Sequence, residues 1–96
     1  MSTLDYIQSR RDEIYGLALK NKIDKVYVFG SCARKEERDD SDIDFLVEFK
    51  PKASLLDQVH MRDDLNALFG REIDVVSTRG LSPYIGPSIL REAIPV

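Results

Sequence analysis

The sequence predicts an α/β (α+β) fold, a small mixed β-sheet covered on one face by helices, in the order α-β-α-β-α-β-α. Three observations carry that prediction. Segments with helical apolar spacing alternate with short segments of strand-like character. Two of the strand-like segments, 43–49 and 72–76, share one parity, with apolar residues at odd positions and aspartates at even ones. Breaks at Gly30-Ser31, Lys50-Pro51-Lys52 and Gly70 separate the segments.

Residues 3–21 read as the first helix. Leu4, Ile7, Ile14, Leu17 and Ala18 recur at helical intervals, Ser2 and Asp5 have capping-box spacing, and Asn21 is a stop. The charged run 9–13 falls mostly on the opposite, solvated side. Residues 26–29 form an apolar strand that ends abruptly at Gly30-Ser31. Residues 31–37 suit a short helix whose unpaired N–H groups would aim back at that turn, a ready anion site. A charged turn, 38–41, leads into the second strand, 43–49, which Pro51 ends. Ser54 and Asp57 make another capping box and open a helix through Phe69, with Gly70 as its stop. Its apolar residues are Leu55, Leu56, Val59, Met61, Leu65, Leu68 and Phe69. After the third strand, 72–76, the tail reads as helical from Ser82-Pro83 or from Gly86-Pro87 onward. Pro87 favours the later start or a kink, and Ile85, Ile89, Leu90, Ala93 and Ile94 supply an apolar side.

At 96 residues, with 43% apolar and 32% charged side chains, the chain has the make-up of one small domain, 1–96. A net charge of −3 argues against gripping nucleic acid through a broad basic face. The single cysteine, Cys32, cannot close an internal disulfide, so a reduced, cytoplasmic setting is expected. No apolar run reaches membrane-span length.

The chemistry concentrates between residues 26 and 49. Asp42 and Asp44 stand one residue apart at the start of a strand and therefore point to one side. Two like charges so placed repel, and a divalent cation between them is the obvious remedy. If the second and third strands are neighbours, Asp74 lands beside them. Other Asp-x-Asp motifs fail on their own terms. A calcium loop counted from Asp40 would need glycine where Phe45 stands and glutamate where Pro51 stands. An aspartyl phosphatase would carry its aspartates at the end of an apolar strand, and a phosphate-binding Walker loop would need Gly-Lys-Ser/Thr after the first strand.

Gly30-Ser31-x-Ala33-Arg34, then Asp-Ser-Asp-Ile-Asp-Phe-Leu-Val and a later strand with Asp74, resembles the nucleotidyltransferase superfamily built on the polymerase-beta-type palm. The short length looks like its minimal nucleotidyltransferases, the MNT family. That resemblance implies transfer of AMP from ATP with two Mg²⁺ ions. Asp42, Asp44 and Asp74 would be catalytic and would hold the metal, Asp74 also acting as base toward the acceptor hydroxyl. Gly30, Ser31 and Arg34 would bind the triphosphate, although Arg34 could equally pair with Glu36 or Glu37. It further implies an antitoxin that modifies a tyrosine of a HEPN-type ribonuclease toxin, with homo- or hetero-oligomers both open. A small-molecule (aminoglycoside-type) nucleotidyltransferase and a non-catalytic antitoxin that neutralises by binding stay as alternatives. Cys32 is expected to be a small filler, His60 a helix-surface residue, and Arg62, Arg71 and Arg79 surface cations.

Overall fold

The computed structural model describes residues 3–30, 32–33, 42–80 and 86–96. Its sheet is built from Ile23–Phe29 (β1), Ile43–Phe49 (β2), Ile73–Ser77 (β3) and Ile94–Pro95 (β4), in the order β3-β2-β1-β4. β1 runs antiparallel to β2 and β4, whereas β2 and β3 are parallel. A parallel pair needs a crossover, and the helix Leu55–Phe69 (α3) supplies it.

The expected parity holds. Ile43, Phe45, Val47 and Phe49 of β2 and Ile73 and Val75 of β3 are buried, joining Val26 and Val28 of β1 in one apolar core. Thr3–Ser9 (α1) and Arg11–Lys20 (α2) add Leu4, Ile7, Ile14 and Ala18, and α3 adds Met61 and Leu65. Phe69 stacks on Phe45 at 6.1 Å between ring centroids and meets Tyr6 edge-on at 5.8 Å. The other sheet face is not wholly open. Leu46 is fully buried there, and with Tyr27, Glu48, Leu90 and Ala93 it lines a cavity of about 160 Å³ beneath the helix Gly86–Glu92 (α4).

Several boundaries differ from the sequence reading. The first helix is two, broken at Arg10 (φ −104°, ψ 21°). The Ser9 hydroxyl donates to the Tyr6 carbonyl at 2.6 Å and the Arg10 N–H to Ile7 at 3.0 Å, so local bonds displace the regular helical ladder. β1 begins at Ile23, three residues early, because an irregularity between Ile23 and Lys25 absorbs the polar Asp24. Ile94 leaves the tail helix and pairs with Val28 in β4, and α4 takes the later of the two starts. α3 opens and closes as expected: the Ser54 N–H donates to the Asp57 carboxylate at 2.9 Å, and Gly70 turns left-handed at φ 64°. Most of the short helix expected over 31–37 lies outside the described residues, as does Ser2 of the first capping box. Cys32 and Ala33 form a turn.

One buried polar side chain joins the helical layer. Asn21, at the end of α2, donates to the Leu17 carbonyl at 3.0 Å and to the Asp64 carboxylate of α3 at 2.9 Å. Lys20 adds an ion pair to Asp64 at 3.1 Å. The Asn21 amide first, and then Lys20, hold the Asp64 carboxyl below the usual range despite its partial burial. Replacing Asn21 with Ala should lower stability by about 1–3 kcal/mol, read from a denaturant midpoint, because a carboxylate loses its donor and the helix loses its cap. A carboxylate whose folded pKa is depressed stabilises the fold above its unfolded pKa and loses that contribution as pH falls through the folded value. Wild-type stability should therefore decline below about pH 4, and Asp64→Asn should flatten that decline in an acid titration of the melting temperature.

Candidate active site

β1 ends at Phe29, which faces Asp44 in the antiparallel register. The next residue, Gly30, adopts φ +72°, a left-handed conformation that glycine alone takes without strain. A Cβ on Gly30 would stand 2.5 Å from Asp44 Oδ2. The glycine thus serves two needs at once, reversing the chain and letting a carboxylate lie directly over the turn.

On the other side of Asp44 is Asp74. The parallel register pairs Ile43 with Ile73 and Asp44 with Asp74, and the Ile43 N–H donates to the Glu72 carbonyl at 3.1 Å. Neighbouring strands lie about 4.8 Å apart, so the two aspartates stand side by side on the face away from α1, α2 and α3. Asp42, two residues before Asp44, precedes the strand and is exposed. Asp74 is exposed too, and Asp44 is half-buried. The expected neighbourhood of Asp74 with Asp44 is thereby present in the backbone, whereas Asp42 stands just outside the paired stretch. Among the described residues no three acid, imidazole or thiol side chains are gathered into a ready-made metal cage. Drawing three carboxylates together costs repulsion that a cation offsets, and an all-oxygen donor set suits a hard ion such as Mg²⁺.

Ser31 and Arg34, read as phosphate-binding, lie outside the described residues. Cys32 is fully buried in the core, in keeping with a filler. His60 is exposed on α3 and lines a shallow cleft with Lys20, Asp63 and Asp64. The Arg79 guanidinium donates to the Phe49 and Lys50 carbonyls at 3.3 and 2.8 Å and so secures the end of β2. Arg62 is exposed, as expected of a surface cation, and with Leu55, Gln58 and Val59 of α3 it lines a cleft shared with Asp74. Sequence reasoning had no signal for that cleft: Leu55, Leu56 and Val59 count among the apolar residues of α3, yet they are 81%, 61% and 42% exposed.

A glycine turn under one carboxylate, with a second carboxylate in register on the adjacent parallel strand, is the arrangement of a nucleotidyltransferase palm. The family model described as polymerase beta, nucleotidyltransferase matches residues 13–96, and the chain belongs to that family. It is a nucleotidyltransferase. Among relatives, it is 38% identical over 90 residues to MJ0435 of Methanocaldococcus jannaschii, provisionally named a protein adenylyltransferase, covering 94% of this chain and 97% of that one. It is 39% identical over 72 residues to the protein adenylyltransferase MntA of Thermococcus cleftensis, covering 75% and 73% of the two chains. A solved structure provisionally named a minimal nucleotidyltransferase superposes with a TM-score of 0.87 at 42% identity, covering all of this chain and 97% of the other. The MNT antitoxin–HEPN toxin complex of Shewanella oneidensis, solved with a tri-AMPylated toxin, shares the fold with a TM-score of 0.68 at 20% identity, covering 92% of this chain and 69% of that one.

Gly30→Ala tests the close approach. Its methyl group must displace the Asp44 carboxylate, and its backbone must hold a left-handed φ. We expect a loss of about 1–3 kcal/mol in thermal unfolding together with at least about tenfold weaker Mg²⁺-dependent nucleotide binding by calorimetry. Wild-type binding in this variant would show that Asp44 does not need the turn beneath it.

Proposed function

We propose that this chain transfers AMP from ATP to a hydroxyl, a tyrosine above all, of a HEPN-type partner protein, and thereby acts as its antitoxin. The observation that carries the reading is the placement of Asp44 between Gly30, in the turn after β1, and Asp74 on β3. The names of the relatives support AMP transfer to protein, and the fold shared with the MNT–HEPN complex supports the class of partner.

In this reading the turn at Gly30 and Ser31 admits the β- and γ-phosphates close to the backbone, where N–H groups bind them. Arg34 balances their charge. Asp42, Asp44 and Asp74 would hold Mg²⁺, which would supply positive charge to the oxygens of the reacting phosphate. Asp74, beside the acceptor, takes the hydroxyl proton as the new oxygen–phosphorus bond forms. The bond from the α-phosphorus to the bridging oxygen breaks at the same time, and pyrophosphate leaves with the electron pair toward Gly30.

Asp42→Asn with Asp44→Asn separates catalysis from simple binding. We expect transfer of labelled AMP to a HEPN-type partner protein to fall by at least about a hundredfold, while the two proteins still co-elute. Neutralisation of the partner by the double variant at wild-type strength would instead establish an antitoxin that acts by contact alone.

A further inference from the structure

Among the described residues the outer side of β3 is a sheet edge, since β3 ends the strand order. Along it runs a cleft of about 360 Å³ lined by Leu55, Gln58, Val59, Arg62, Asp74 and Val75. One wall is α3, from which Leu55 and Val59 project into solvent. The other is β3 itself, where the Gln58 side-chain amide donates to the Val75 carbonyl at 2.7 Å and occupies one of the edge acceptors. Exposed leucine and valine beside a strand edge that no described residue pairs are what a small domain normally covers, and a contiguous patch of this kind marks a contact surface.

The order of the strands says what should cover it. In phosphoryl and nucleotidyl transfer the attacking and leaving oxygens lie roughly in line across the phosphorus. Here the turn that would seat the leaving pyrophosphate is at the end of β1, Asp44 is on β2, and Asp74 is on β3. An attacker opposed to β1 must therefore arrive from the β3 side. The surface it crosses on that side is the cleft, whose one acid is Asp74.

We propose that the α3–β3 cleft is the docking site of the acceptor protein. An apolar segment that bears the hydroxyl packs on Leu55 and Val59 and delivers its oxygen past the β3 edge to Asp74. Arg62, exposed and 3.4 Å from Asp63, turns from that neighbour to an acidic side chain of the segment. The inference rests on the adenylyltransferase reading and adds to it the place and the chemistry of acceptor binding. A protein is favoured over a small acceptor because the cleft offers apolar area and a strand edge rather than an enclosed set of polar groups.

The test is Leu55→Asp with Val59→Asp in the full chain, with Leu19→Asp, another exposed leucine but on α2, as control. All substituted residues are exposed, so an unchanged melting temperature is expected. With the HEPN-type partner protein as acceptor, the double variant should raise KM for that protein by about tenfold or more, with affinity for ATP and Mg²⁺ unchanged and the control unaffected. Hydrogen exchange on the wild-type complex should show protection at 55–62 and 73–77. A wild-type KM in the double variant, or protection confined to other segments, overturns the docking site. If the wild-type chain binds that protein without transferring AMP, the adenylyltransferase reading falls, and the protection pattern still decides the cleft. If it neither binds nor modifies it, both fall.

Discussion

The parallel pairing of β2 with β3 is the constraint on which the site depends. It begins with the Ile43 N–H donating to the Glu72 carbonyl and continues through Asp44 opposite Asp74 to Val47 opposite Ser77. Side chains alternate with a period of two, so a slip of one residue would turn Asp74 into the core and Ile73 out to solvent. The apolar face thus enforces the polar one. Burial of Ile43, Phe45, Ile73 and Val75, each favoured by roughly 1.5–3 kcal/mol, holds two repelling aspartates in a register they would not choose. The placement of the two aspartates is here a by-product of a hydrophobic requirement on the reverse of the sheet.

Much of this was legible from residue order. Parity alone placed Asp42, Asp44 and Asp74 on the side away from the helices, and the Ser54–Asp57 and Gly70 signals bounded α3 to the residue. The losses share one physical origin, in that spacing records which residues are apolar but not what they meet. Leu55 and Val59 fit the helical period of α3, yet β3 is too short and too near the edge to cover that part of the helix. Ile94 fits the period of the tail, but the open edge of β1 offered it strand partners. The break at Arg10 depends on a serine hydroxyl choosing the Tyr6 carbonyl, a local competition that apolar spacing does not register. Leu46 shares the even parity of Asp44, yet it is buried beside Leu90 and Ala93.

The two faces of the sheet divide the work. One is filled by α1, α2 and α3, tied together where Asn21 reaches Asp64. The other carries the acids near one end and α4 over Leu46 further along, so the reactive edge stays accessible while the middle of the sheet is sheltered. A small chain thereby gains a core on one side without closing its site on the other.

Cys32 gives this arrangement a built-in clock. It is the chain's one thiol, it is fully buried, and it stands two residues beyond the glycine over which Asp44 lies. A maleimide can reach the sulfur only when Cys32 itself leaves its place in the core. The labelling rate therefore counts those excursions directly, without an added fluorophore or a second cysteine to confuse the signal.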